Sequence, residues 1–447
     1  MTSYAVCVDV GSTFTKAAVV DLDGGALVGG AAVPTSSGTD VLHGLDEAVS
    51  RATGGVPAAR AGSWYVCSSA GGGLRLAVVG YEELVTARAG QRVGLSAGAR
   101  VVQVTAGLLD GAGVAALRAA RPDVVLLVGG TDGGDAEVLV HNATRLARAR
   151  FRVPVVVAGN ADVASAVAQL LAGGGVPVQV TPNVLPRIGV LSPGPARAAI
   201  RDVFLRHVIG GKRLSRGARF AGLVRAATPD AVLAGVELFA AHSVGDAVVV
   251  DVGGATTDVY SALTPDERHG GPGREAAGTL WRARTVEGDL GMRSSAPGVV
   301  RAAAAERMLA EGEQPALTAY AARLADDPGH LPAGAAELAA ERRIAVLAAT
   351  VAVRRHARAG PAGDPAGRDL RDVRLMIGSG GVLRHAGAAS GTGVLAEVLA
   401  DHAGGWALPR AARPVVDVDY VLAAAGLLAA EHRGAAVALL RRHLDPG

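Results

Sequence analysis

Lysine is almost missing from this chain: it occurs only at positions 16 and 212, although Lys and Arg together number 44. Aromatic residues make up only 3% of the sequence, so the core must be aliphatic and stacking surfaces for bases or sugars are scarce. Two cysteines in 447 residues provide no disulfide framework. The N-terminus lacks a basic region and starts a strand almost at once, and no apolar run approaches the ~20 residues that span a bilayer. These absences lead us to expect a cytoplasmic chain with no signal peptide and no membrane partner. A formal charge of +3 is too small to argue for nucleic-acid binding. No P-loop is present, Gly111-Ala112-Gly113 is a poor dinucleotide fingerprint, and no His-Glu-x-x-His or Cys-x-x-Cys marks a zinc site.

What is present is a repeated Gly-rich hairpin. In Asp246 to Tyr260, DAVVVDVGGATTDVY, an apolar run ends in Asp251. Gly253-Gly254-Ala255 and Thr256-Thr257-Asp258 follow, then a second apolar stretch. Near the N-terminus, Tyr4 to Lys16 reads YAVCVDVGSTFTK, with Asp9, Gly11, Ser12, Thr13 and Lys16 in a similar frame. Apolar runs bounded by glycine read as buried strands. Glycine lets backbone N–H groups approach an anion such as phosphate. A carboxylate at a strand end can hold magnesium through its water shell, and the threonine hydroxyls would lie within reach of a terminal phosphate. A single such hairpin reads equally well as a turn with a solvated Asp, but a second copy and the later strand LMIGSGGVL (Leu375 to Leu383) make a three-part pattern.

This pattern resembles the superfamily of actin, Hsp70 chaperones and sugar kinases. Its two phosphate hairpins and adenosine loop match Asp9 to Lys16, Asp251 to Asp258 and Gly378 to Gly381. The resemblance implies an α/β fold of two ribonuclease H-like domains of the actin/Hsp70/hexokinase type around a nucleotide cleft. Asp9 and Asp251 would be the catalytic, magnesium-holding carboxylates. Gly11, Ser12, Thr13, Lys16, Gly253, Gly254, Thr256, Thr257 and Asp258 would surround the phosphates, and Gly378, Ser379, Gly380 and Gly381 the adenosine. Ala255 departs from the third glycine usual in the chaperones, and its methyl is tolerable only at negative φ. The stretches DVGSTFTKAAVVD, LLVGGTDGGD, VDVGGATTDVYS and RTVEGDLGMR are similar to the glutamate mutase accessory family, MutL or GlmL, which is distinct from the DNA mismatch-repair protein. That resemblance implies an ATP- and magnesium-dependent, chaperone-like reactivating factor whose partner is an adenosylcobalamin-dependent mutase. The Asp-x-His-x-x-Gly cobalamin signature is missing, so no cobalamin is expected on this chain itself. The alternative is a small-molecule kinase on the same fold, with Asp132 or Glu287 drafted as base. Self-association is left open.

A chain of this length implies more than one core. The reading places the N-terminal part of a first ATPase-type domain at 1–100, an α/β insertion or extension at 101–229, and a second ATPase-type domain at 230–447. Strands are expected after the first hairpin at Ala26 to Val33 and Ser63 to Ser69, with a helix from Val41 to Arg51 capped by Thr39-Asp40. Cys7 and Cys67 should then lie on adjacent parallel strands and stay reduced. Pro122 to Asp135, Val153 to Asn160 and Val176 to Asn183 alternate with helical stretches, which predicts a parallel layer. Leu280 to Glu287 and Val373 to Ile377 are read as strands, Gly71 to Gly73 and Gly360 to Asp369 as loops. Glu287 to Ser295 is read as a turn before a helix from about Gly298 to Glu311. Two features stay open: Gly129 to Gly134 is a second ligand loop or a plain βα turn, and the basic cluster Arg187 to Arg225 is a solvated face or a docking surface.

Overall fold

The computed structural model describes residues 3–70, 74–82, 86–97, 99–209, 214–263, 282–358, 368–385 and 388–445. The Gly71–Gly73 loop, Leu280, Trp281, Lys212, Arg213 and most of the Gly360–Asp369 loop lie outside them. The chain packs as two compact units. Unit 1 holds 1–235, 265–283 and 423–439; unit 2 holds 236–264, 284–422 and 440–447.

In unit 1, β1 (Tyr4–Val10), β2 (Phe14–Asp21) and β3 (Leu27–Pro34) form an antiparallel meander. The helix Val41–Ala52 follows, and the Asp40 carboxylate caps it by accepting from the N–H of Leu42. β4 (Ser63–Ser68) then returns parallel to β1. The chain continues into β5 (Arg75–Gly80), β6 (Arg100–Ala106), β7 (Val124–Leu127), β8 (Val155–Val157) and β9 (Val178–Val180). These five make an all-parallel sheet in the order β6-β5-β7-β8-β9. Its inner strands β5, β7 and β8 are apolar on both sides because both their faces are covered. Leu76, Val78, Val124 and Leu126 join a core with Val6, Val8 and Val66 of the first sheet, and Ala77, Val79, Val125 and Leu127 pack with Leu139, Leu146, Val167 and Leu171 of the covering helices. The expected parallel layer is therefore present, but it begins at Arg75 and not near residue 101. β10 (Val224–Ala227) closes the first sheet, in the order β10-β4-β1-β2-β3.

Unit 2 repeats that order. β11 (Ala247–Val252), β12 (Thr257–Ala262) and β13 (Arg282–Glu287) form the meander, and β14 (Leu375–Ser379) and β15 (Arg413–Val416) add in parallel, giving β13-β12-β11-β14-β15. The 25-residue helix Gly334–Arg358 covers the sheet, with Ile344 to Val353 buried throughout. Two sheets of the same order, each a meander followed by two parallel strands, make the duplicated actin/Hsp70/hexokinase-type fold that the motifs anticipate. Among the described residues no helix is long and apolar enough to cross a membrane.

Candidate nucleotide site

Each hairpin ends in the same turn. Asp9 lies near the end of β1 and Asp251 near the end of β11, each two residues before a glycine. The N–H of Gly11 donates to the Phe14 carbonyl at 3.1 Å, and the N–H of Gly253 to the Thr256 carbonyl at 2.9 Å. A Cβ at Gly11 would stand 2.7 Å from the Phe14 oxygen, and one at Gly253 would stand 2.9 Å from the Thr256 oxygen. Close approach, not positive φ, thus requires glycine at both positions. Ala255 keeps a φ outside the left-handed region, the condition its methyl needed.

The turn carbonyls are occupied from behind. Thr35 Oγ1 donates to the Gly11 oxygen at 2.9 Å and the Thr35 N–H to the Thr13 oxygen at 2.8 Å. In unit 2 the Glu287–Ser295 turn serves the same purpose: Met292 N–H bonds the Gly253 oxygen at 2.9 Å, Arg293 N–H the Gly254 oxygen at 2.7 Å, and Ser295 Oγ the Ala255 oxygen at 2.8 Å. Gly291 is required here, because its Cβ would sit 2.3 Å from the Ala255 carbonyl carbon. The helix after this turn runs over Ala296–Ala305, shorter than the sequence reading. Thr257 is wholly buried and donates to the Leu290 oxygen, so its hydroxyl pins this turn to the hairpin. Among the described residues no acceptor meets the N–H groups of Ser12, Thr13, Gly254 or Ala255, all four exposed. Paired exposed amides at a tight turn are anion-binding groups.

The carboxylates differ in their surroundings. Asp9 is 5% exposed and accepts from Thr228 Oγ1 and, at 3.6 Å, from Cys67 Sγ. Lys16 Nζ lies 3.9 Å from its other oxygen, directly across the β1–β2 ladder. Burial, then Asp9, pushes the Cys67 thiol up, so it remains a protonated donor; burial alone drives Cys7 up to about 12. Both cysteines are free and lie on adjacent parallel strands, as expected. In unit 2, Asp251 stands across the ladder from Asp258. Arg284 of β13 offsets that second carboxylate, with Nη2 2.6 Å from Asp258 Oδ2. Burial works against the Arg284 charge, but Asp258, with Tyr260 and Asp251, outweighs it and raises its pKa. Asp258 Oδ1 is buried with no hydrogen-bond partner among the described residues.

The Gly378–Gly381 segment reaches Asp251, and Gly378 and Ser379 belong to β14 and are buried. Asp251 pairs in register with Ser379. Gly380, at φ +96°, turns the chain so tightly that a Cβ would lie 2.2 Å from the Val252 oxygen and 2.9 Å from Asp251 Oδ1. Asp251, Gly253, Gly254, Thr256, Asp258, Gly380 and Gly381 thus cluster at one edge of the unit 2 sheet, while Asp9, Gly11, Ser12, Thr13 and Lys16 cluster on unit 1. Thr228, Cys67 and Arg284 were not foreseen, because each meets its carboxylate only through strand pairing or a tertiary contact.

Two other candidates are committed elsewhere. Asp132 accepts from Ala161 N–H at 3.0 Å and Asn183 Nδ2 at 2.8 Å, and Asn160 and Asn183 brace the Gly129–Gly134 loop through its carbonyls. Glu287 is raised in pKa by burial, against the pull of Arg355 at 2.7 Å. Three residues of the basic cluster form ion pairs: Arg201 with Asp230, Arg219 with Asp46, and Arg225 with Glu431.

The solved structure of nucleotide-free acetone carboxylase aligns with a TM-score of 0.42 at 13% identity, covering 96% of this chain and 71% of that one. Diol dehydratase-reactivating factor in nucleotide-free form aligns at 0.38 and 10% identity, covering 97% of this chain and 100% of that one. Protein MutL of Clostridium tetanomorphum is 32% identical over 457 residues, 98% of this chain and 98% of that protein. The MutL protein family model matches residues 5–444. With that match and a relative similar over nearly its whole length, the chain belongs to the MutL family.

Proposed function

We propose that this protein is an ATP-dependent accessory factor that reactivates an adenosylcobalamin-dependent mutase acting on glutamate or a related amino acid. The observation that carries the nucleotide half of this reading is the repeated hairpin, with a strand-end carboxylate, a glycine demanded by close approach, and outward amides at the tip. Those amides suit phosphate oxygens, and Asp9 and Asp251 are the carboxylates that would meet the water shell of magnesium. Magnesium would supply charge neutralisation of the phosphates, and the hairpins would position them. The mutase half rests on family membership.

A small-molecule kinase would need a carboxylate base ready to accept a substrate proton. Glu287 is tied to Arg355 and Asp132 to Asn183, which favours the accessory reading. The test is magnesium-dependent ATP turnover by the purified protein, alone and with candidate mutases. Asp251→Asn keeps volume and removes charge. It should lower turnover by about 100- to 1,000-fold with the fold intact, and should stop rescue of an inactivated mutase. A variant that loses turnover and still rescues would separate the two halves. Wild-type protein that phosphorylates a sugar or acid with no mutase present would establish the kinase instead.

A further inference from the structure

The parallel sheet of unit 1 carries none of the nucleotide residues. In its order β6-β5-β7-β8-β9 the chain steps from β5 to β6, then returns past β5 to β7, β8 and β9. The direction reverses between β5 and β7. In open α/β sheets of this order, ligands sit in the crevice outside the carboxyl ends of the strands at the point of reversal. The segments there are Tyr81 and Glu82 after β5 and Val128 to Asp135 after β7, the second holding the glycine run.

That second segment is held from several sides. Gly130, at φ +68°, packs so closely that a Cβ would stand 2.1 Å from the Asp135 oxygen, and one at Gly129 would stand 3.3 Å from Tyr81 Cβ. The Tyr81 hydroxyl is hydrogen-bonded to the Asp135 carboxylate, joining the two segments. Buried Asn160 and Asn183 occupy the Gly134 and Gly130 oxygens. The amides are left over: the N–H of Gly130, a buried residue, and that of Thr131 meet no acceptor among the described residues. Buried backbone donors are nearly always paired, so these two call for an outside acceptor. Gly130 is left-handed and Thr131 is not, an alternation that turns successive N–H groups toward one anionic oxygen. Beside them, exposed Asp132 uses Oδ1 to accept from Ala161 N–H and Asn183 Nδ2, and its Oδ2 has no partner among the described residues. Charge then selects the ligand. Glu82, Asp132 and Asp135 stand in these segments against Arg187, which follows Pro186, the acceptor of Asp132 N–H. A phosphate dianion on the amides would meet a surplus of carboxylates. A ligand that joins a carboxylate to an ammonium satisfies the amides and Asp132 together.

We infer that this crevice binds a free α-amino acid, its carboxylate on the Gly130 and Thr131 amides and its ammonium on Asp132. The experiment follows hydrogen–deuterium exchange of the Val128 to Ala136 segment in the full chain, with each standard L-amino acid added in turn. At least one should slow exchange there. Acetate and ethylamine, which each carry half of the ligand, should not do so at the same concentration, nor should inorganic phosphate. Asp132→Asn keeps an Oδ1 for Ala161 and Asn183 and removes only the charge, so it should melt as wild type. It should bind the amino acid at least about tenfold more weakly, the scale of one lost charge-assisted hydrogen bond. Gly130→Ala should lose the protection, because its methyl forces the loop away from Asp135. Exchange unchanged by every amino acid would remove the site. Protection by phosphate would make it an anion site instead, and Asp132→Asn that binds as wild type would remove the ammonium contact. No nucleotide is present in this measurement, so its outcome is independent of the ATP reading.

Discussion

Gly380→Ala is the sharpest single test of how the unit 2 site is built. The backbone there holds φ +96°, and a left-handed conformation costs an L-residue ~1–2 kcal/mol. The added methyl would also stand 2.2 Å from the Val252 oxygen and 2.9 Å from Asp251 Oδ1, so the turn must move away from the end of β11. Overpacking of this kind typically costs a further ~1–3 kcal/mol, which brings the total to about 2–5 kcal/mol. For a unit of 150–250 residues each kcal/mol moves the midpoint by ~2–4 °C, so the transition of unit 2 should fall by about 4–20 °C in a calorimetric scan. The neighbouring Gly381→Ala is the control: its methyl would meet only the far edge of the His385 ring, at 4.0 Å, and its φ is not positive. ATP binding should weaken in the Gly380 variant. Equal melting of the two variants would refute the claim that Gly380 is fixed by contact with the Asp251 strand.

The remaining predictions concern charge. His356 is wholly buried, bonded to Thr285 Oγ1 at 2.9 Å and Ser261 Oγ at 2.8 Å, and burial, helped by Arg368, holds its pKa well below the ordinary value. Its folded pKa being depressed, the unfolded chain binds the extra proton first. Stability should then be full above about pH 6.5 and fall below it by ~1.4 kcal/mol per pH unit until the folded pKa is reached. Urea unfolding at pH 7 and 5.5 should show that His356→Gln loses less stability over this interval than wild type; equal losses would contradict the assignment. Arg284→Met should cost ~3–5 kcal/mol, because it leaves Asp258, part-buried with its Oδ1 shut off from solvent, opposite Asp251 without its cation. Lys16→Met should cost no more than ~1 kcal/mol, since its pair with Asp9 is 3.9 Å long and Lys16 is 26% exposed. Reversal of that ranking in denaturant titrations would show that the two hairpins are balanced in some other way.

The hairpins were legible because their information is local. Strand, turn glycine and second strand fall between Tyr4 and Asp21 in one hairpin and between Ala247 and Ala262 in the other, and the sequence periodicity specifies which side chains turn inward. The Asp40 cap and the strands β7 to β9 were readable for the same reason. β5 and β6 escaped: β5 follows a glycine run, and β6 is an edge strand whose residues are only half-buried along most of its length. Arg284 and Thr228 escaped for a different reason. Arg284 opens the RTVEGDLGMR stretch, but nothing in that stretch points to Asp258, and Thr228 meets Asp9 across 219 positions of chain. β14 runs over Leu375–Ser379 and not Val373–Ile377; Gly378 reads as loop-forming from sequence alone. Its missing side chain instead makes room for Leu383 and Leu395, whose methyl carbons would stand 2.9 and 3.0 Å from a Cβ there.

The two hairpins reach one end state by unlike means. In unit 1 a threonine hydroxyl covers the glycine carbonyl of the turn; in unit 2 a backbone N–H from a separate turn covers it. Asp9 is balanced from the adjacent strand by Lys16, whereas Asp251 faces another carboxylate and the balancing cation comes from the third strand. If turn stability were all these devices supplied, either would serve without leaving exposed amides, since a buried polar group needs any partner and not a particular one. What they have in common is direction. Carbonyls are drawn inward, and the N–H groups at Ser12, Thr13, Gly254 and Ala255 are left without acceptors among the described residues. That shared polarity, reached from different residues, is what a phosphate requires, and for that reason the nucleotide reading rests on the backbone of the turns more than on any one side chain.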